Sequence, residues 1–215
     1  MRLALAILAA FGPAGAALAD TGAVDWLRQH LDFATHLHDG GVWRERGGAV
    51  LAVDPLTLYG AEDDPIAVPR QPARILGIRE TNGTDPRTAF LVLLWSDKPV
   101  VCGEDLTTIG VDTGLAAFLA PDDVAALDSY GQAYGGDLYA GPYADAIDAA
   151  YPGPFLAQLP DGTAFPLSGS AWGDGGYPAA SLRAEDGSMV ALYAQFITDG
   201  TGWALPPACP PTTSS

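Results

Sequence analysis

Seven consecutive residues, Trp172-Gly173-Asp174-Gly175-Gly176-Tyr177-Pro178, hold two aromatic rings, one carboxylate and three glycines. Rings stack on ligands, and glycine lets a ligand approach the backbone closely, so these types in one span suit binding. Trp172, Gly173, Asp174, Gly175 and Tyr177 are accordingly the candidate binding loop. A second stretch, Val111-Asp112-Thr113-Gly114, matches the core of an aspartic-protease turn. That chemistry needs two carboxylates sharing one proton. No second Asp-Thr-Gly exists: Asp161-Gly162-Thr163 and Asp199-Gly200-Thr201 have the wrong order. Leu115 also follows where those enzymes prefer a small side chain. A turn leading into Leu115-Ala116-Ala117-Phe118-Leu119 is the better account.

The remaining chemical types offer less. His30, His36 and His38 cluster near the N-terminus with Asp32, but His30 to His36 is poor spacing for one helix face of metal ligands. In Gly169-Ser170-Ala171-Trp172-Gly173 the serine lies one position too early for a nucleophile elbow. Phosphate-cradling loops with a terminal Gly-Lys are absent. Asp-Gly recurs at 39, 161, 174, 186 and 199. Asp-Gly is first a turn dipeptide, so only Asp174, between large neighbours, stands out. The reading assigns no metal and no cofactor.

Composition narrows the class of partner. The chain has 215 residues, 26 Asp and Glu against 10 Lys and Arg, and a net charge of −16. Such a surface repels phosphate backbones and anionic lipid headgroups, which argues against nucleic acid. Residues 1–19 have the layout of a secretory signal peptide: Arg2, an apolar run from Leu3 to Phe11, and Ala17-Leu18-Ala19. A periplasmic or secreted protein is therefore expected. No segment is long enough to span a bilayer as a helix. In an oxidising compartment the two cysteines, Cys102 and Cys209, read as one disulfide tying down a Pro-rich tail over 205–215.

The elements expected to position these residues follow from periodicity. Trp26, Leu27, Leu31 and Ala34 predict a helix from Thr21 to Leu37, closed by Asp39-Gly40-Gly41, within an N-terminal helical segment 20–41. Residues 42–204 read as a β-rich domain. Strands are expected at Ala49–Val53, broken by Asp54-Pro55, and at Arg74–Arg79 before Asn82-Gly83. Ala89–Trp95, apolar on both faces, reads as a central strand. Pro99–Cys102 is a short strand or strand end. Pro121, Asp122 and Asp123 open one helix running toward Tyr134, and Pro142 opens a second over Tyr143–Ala150. Ser181–Glu185 and Met189–Phe196 flank Asp186-Gly187 as a hairpin whose two central positions want positive φ. The fold class is α+β, β-dominated, one domain with two short helices between strand-rich halves.

Several of these segments together resemble an uncharacterised bacterial family, domain of unknown function 4241. The resemblance is carried by Gly110-Val111-Asp112-Thr113-Gly114, Asp122-Asp123, Ser168–Pro178 and a hairpin ending at Phe196. Val53-Asp54-Pro55 and the Leu91–Trp95 strand also fit. It covers residues 43 to 197, and the chain departs from it by Ser170-Ala171 inserted before Trp172. The family brings no activity; the resemblance implies a fold and two candidate positions, Asp112 as a candidate acid and Asp174. The leading expectation is a non-catalytic module binding a small molecule or a protein. The alternatives are a hydrolase using Asp112 and Asp174 as acid and base or as metal ligands, and a structural envelope protein.

Overall fold

The computed structural model describes residues 22–44, 47–81, 86–133, 153–198 and 202–210. The expected signal peptide and Asn82-Gly83 turn, the helix expected over Tyr143–Ala150 and Asp199-Gly200 lie outside the described residues. Two antiparallel sheets carry the chain. The first has six strands in the order β1 (Thr35–Trp43), β4 (Ala73–Glu80), β5 (Thr88–Leu94), β11 (Met189–Gln195), β10 (Gly175–Arg183), β6 (Cys102–Val111). The second has five, in the order β3 (Ile66–Ala67), β2 (Ala49–Val53), β7 (Leu115–Leu119), β9 (Ala164–Gly169), β8 (Phe155–Gln158).

Alternation along the strands of the second sheet explains the layering. Val50, Ala52, Ala116 and Phe118 face the six-stranded sheet and join its core. Their neighbours Leu51, Val53, Leu115, Ala117 and Leu119 point the other way, with Phe165 and Leu167, and pack on Leu127. Leu127 belongs to helix α2 (Val124–Ala133), entered through the 3₁₀ turn Pro121–Asp123. Because successive Cβ atoms alternate sides, a sheet apolar at every position needs cover on both faces. The six-stranded sheet is covered on its outer side by helix α1 (Gly22–Arg28), whose Ala23, Val24 and Leu27 are fully buried. The layers therefore run α1, sheet, sheet, α2. Strand β5 is buried at all seven positions and lies third of six, the central strand its apolar run implies.

The C-terminal residues 202–210 act as a strap. Gly103 of edge strand β6 donates its amide to the Pro207 carbonyl at 2.9 Å and bridges Ala208 in parallel. Cys102 and Cys209 are joined by a disulfide. A Cβ at Gly103 would overlap the Ser181 carbonyl and the Pro206 ring, so only glycine lets the strap lie this close. Inside, Gln195 accepts from Ala204 N of the strap at 2.6 Å and donates to the Ile197 carbonyl just beyond β11 at 2.8 Å. Buried Tyr193 donates to the Ala204 carbonyl. The strap thus covers one end of an otherwise open sheet edge.

Four sequence expectations need correction. The N-terminal helix ends at Arg28, and residues 35–43 form β1, with a bulge between Asp39 and Gly41 where a helix stop is expected. Of the helical set only Leu27 is fully buried on α1; Trp26 is half-buried there, and Leu31 and Ala34 lie beyond its end. Strand β6 runs ten residues, from Cys102 to Val111, instead of ending at Cys102. The Asp186 hairpin closes with three loop residues, Glu185-Asp186-Gly187. Gly187 N bonds the Ala184 carbonyl, and Gly187 alone has positive φ, at 78°. The candidate loop is half strand, because β10 begins at Gly175.

Candidate functional site

Two chain crossings and one loop meet at one corner of the sandwich. The β6–β7 turn, Asp112-Thr113-Gly114, crosses from the first sheet to the second, and the β9–β10 turn, Ser170 to Asp174, crosses back. The loop 54–60 leaves β2 beside them. Leu115 pairs with Gly169, and Ser170 N continues the ladder to the Gly114 carbonyl at 2.9 Å.

The corner is organised by Asp54, which the sequence shows only as a strand break. Its carboxylate is fully buried. Oδ2 accepts from Asp112 N at 2.9 Å and Thr113 N at 3.0 Å. Oδ1 accepts from the Thr113 hydroxyl at 2.8 Å and from Leu56 N at 3.0 Å. A buried charge is tolerated only when hydrogen bonds replace its water, and here backbone amides from two loops do so. Asp54 therefore locks the 54–60 loop to the β6–β7 turn.

The second turn is built from its own backbone. Gly173 has φ 98° and Ala171 φ 58°. The Gly173 carbonyl accepts from Ser170 Oγ and from Tyr177 Oη, both at 2.8 Å. Tyr177 is buried edge-on to Phe196, at 5.3 Å between ring centroids. Burial and the Asp174 charge raise its phenol above the ordinary tyrosine range, against a lowering contribution from Ser170. Tyr177 is a strut, then, and presents no ring to a ligand. Trp172 is the opposite: it stands 69% exposed. Arg87 lies over its ring, 4.9 Å from centroid to guanidinium carbon, and donates to the Ala171 carbonyl at 2.7 Å.

The register settles the relation of Asp112 to Asp174. Gly175 faces Val111 and Gly176 faces Gly110. The next step outward sets Asp174 beside Asp112, where the two strands leave the ladder. Both are exposed, and among the described residues neither carboxylate has a hydrogen-bond or ion-pair partner. Neither caps its own turn; Asp54 does that work for Asp112. A second exposed ring joins them. Tyr59, 62% exposed, lies against Gly110, where a Cβ would collide with its ring. Positions 110 and 176 share one face of the β6–β10 pair, so the Tyr59 ring lies on that face, at the end where the chains carrying Asp112 and Asp174 leave it.

Sequence reasoning singled out Trp172, Gly173, Asp174, Gly175, Tyr177 and Asp112, and the structure brings all six to this corner. It missed Asp54, Tyr59 and Arg87. The one available signal was a polar residue ending an otherwise apolar strand in Val53-Asp54-Pro55. Two concavities lie elsewhere. A groove of about 670 Å³ runs between Trp43, Ala120–Asp123 and Asp161–Ala164, and a hollow of about 400 Å³ sits beside Lys98, Pro99 and Asp186.

The histidines separate. His30 Nδ1 bonds the Trp26 carbonyl at 2.9 Å and its ring packs on Trp26. His36 and His38 lie on β1. Among the described residues no three His, Cys, Asp or Glu side chains converge as a metal ion would need. No described helix is long and apolar enough to cross a membrane. Comparison with family models, with curated proteins and with solved structures gave no match.

Proposed function

We propose that the protein is an exported, non-catalytic binding module whose contact surface is the Asp54-braced corner. The observation that carries this is the pairing of two exposed rings, Trp172 and Tyr59, with two exposed carboxylates, Asp112 and Asp174, on turns held by buried hydrogen bonds. Large apolar rings cost free energy in water, and a rigid frame keeps them from collapsing onto the core. Rings beside carboxylates suit a ligand that carries a positive charge on an apolar or hydroxylated body, whether a small amine or a basic protein segment. The likeness to domain of unknown function 4241 belongs to the same proposal and adds no activity to it.

The hydrolase reading has one favourable observation, the adjacency of Asp112 and Asp174 in the register. Acid–base work by such a pair depends on a desolvated carboxyl inside a closed site. Both stand in water, so the binding reading is preferred. The test is a nuclear magnetic resonance titration of the full chain with alkylamines, polyamines and a Lys-rich peptide. Saturable shifts at the Trp172 indole and the Gly175 and Gly176 amides are expected, lost in Trp172→Ala and weakened by charge removal in Asp112→Asn with Asp174→Asn. Shifts that persist unchanged in Trp172→Ala, or no saturable shift with any of these probes, would reject the reading.

A further inference from the structure

The chain holds ten Lys and Arg among 26 Asp and Glu, so a gathering of cationic groups calls for a physical account. One lies at the β1 edge of the six-stranded sheet. His36 stands opposite Arg79 in the β1–β4 ladder, and His38 stands opposite Gly77. Directly opposed side chains on one sheet face are neighbours, and like charges placed so are destabilising. Arg28, the last residue of α1, acts on the same imidazole. Glu80 opposes Thr35, so alternation turns it to the other face. Asp39, whose charge acts on His38, is 3.9 Å from Arg74.

His38 is held in a fixed orientation. Its Nε2 lies 3.0 Å from the Pro154 carbonyl. A carbonyl only accepts, so Nε2 must carry the proton. The ring is wedged against Gly153, and a Cβ at Gly77 would strike the Pro154 ring. The two glycines leave room for an imidazole and a proline ring together. Protonation of His38 therefore adds an N–H at Nδ1 without moving the ring. The Arg79 Nε is buried and makes no hydrogen bond.

We propose that Arg79 and His36, with His38 beside them, form a binding site for a small multivalent oxyanion. The Arg79 guanidinium opposite His36 makes the same place unfavourable for a metal cation. Arginine presents a planar fork matched to two oxygens of one anion, and the imidazoles add donors when protonated. When His36 is protonated, its like-charge contact with Arg79 destabilises the free protein, and a bound anion relieves it. Long-range repulsion from the acidic surface is screened within about 8 Å at physiological salt, so the local charges decide. Burial lowers the basicity of His36, as do the charges of Arg79, His38 and Arg28. Burial and Arg79 lower that of His38, against the Pro154 bond and Asp39, which raise it. An anion bound among these groups must raise both.

The test is calorimetric titration of the full chain with sodium sulfate at constant ionic strength, at several pH values between about 5 and 8. Sulfate stays dianionic throughout, so any pH dependence belongs to the protein. Melting temperature is a poor readout, because sulfate stabilises proteins by exclusion from their surfaces. Saturable binding is expected, tightening as pH falls, with the His36 titration seen by magnetic resonance moving to higher pH on adding sulfate. Arg79→Gln should weaken it about tenfold, the scale of a lost charge-assisted hydrogen bond, and Arg79→Lys should recover part of that. His36→Gln should flatten the pH dependence. Unaltered sulfate affinity in folded Arg79→Gln, an unmoved His36 titration, or acetate binding as tightly as sulfate would each overturn the proposal.

Discussion

Asp54 and Asp112 are joined by one hydrogen bond, yet their substitution should have unequal consequences. Asp54→Asn keeps the shape but turns one acceptor oxygen into an NH₂ facing the amides of Asp112 and Thr113 or that of Leu56. A buried donor left against donors costs about 1–3 kcal/mol, more where a charge-assisted bond is lost. Asp54→Asn should therefore destabilise by roughly 2–4 kcal/mol in urea unfolding, on that scale. Asp112→Asn and Asp174→Asn alter exposed carboxylates and should stay within about 0.5 kcal/mol of the parent. Equal losses in all three would mean that Asp54 does not brace the corner. The contrast also shows what residue-level reading can reach. Types alone drew attention to Asp112 and Asp174, because Asp among glycines and aromatics is conspicuous. Asp54 lies 58 positions from Asp112, and only the fold brings its oxygens to that turn.

At the scale of elements, legibility tracks burial. Ala49–Val53 and Ala89–Trp95 were readable as strands because a strand buried on both faces is apolar at every position. Edge strands carry no such mark. β6 includes Gly103, Glu104, Asp105 and paired threonines, and β1 includes two histidines, Asp39 and two glycines. Their pairing comes from neighbours, and local pattern misses it. The strap is the element whose pairing partner could be anticipated, through Cys209. Cross-linking across a separation of 107 residues removes unfolded-state entropy worth roughly 4–5 kcal/mol at most. Cys209→Ser should thus lower the unfolding free energy, and with it the denaturation midpoint, by an amount approaching that figure. Hydrogen exchange at Gly103 N, which donates to Pro207, should quicken well before exchange in β5. If the midpoint held and the Gly103 amide stayed protected, the strap would be secured by Gln195 and Tyr193 alone.

Across the whole molecule the two charged places sit at the same end of the six-stranded sheet and at opposite edges. His36 and Arg79 mark one edge, Asp112 and Asp174 the other. Five inter-strand steps of about 4.8 Å separate them by about 24 Å, more than two Debye lengths at 0.15 M salt. Their responses should accordingly be independent, and pH separates them. The sign follows from His36 and His38, both held below the usual histidine value of 6.5 in the folded chain. The unfolded chain then binds protons that the folded one resists, so stability is fully present above that value and declines as pH falls through the lowered folded values. Facing these rings are Arg79 from β4, Arg28 from α1 and Asp39 on β1 itself, and of these Asp39 alone opposes the effect. Urea unfolding followed from pH 7.5 to pH 5 should show a falling free energy in the parent. A shallower fall is expected in His36→Gln with His38→Gln, and in the parent with sulfate present. A parent curve flat over that interval, or identical slopes in parent and double variant, would show that the charges at this edge are not coupled to folding.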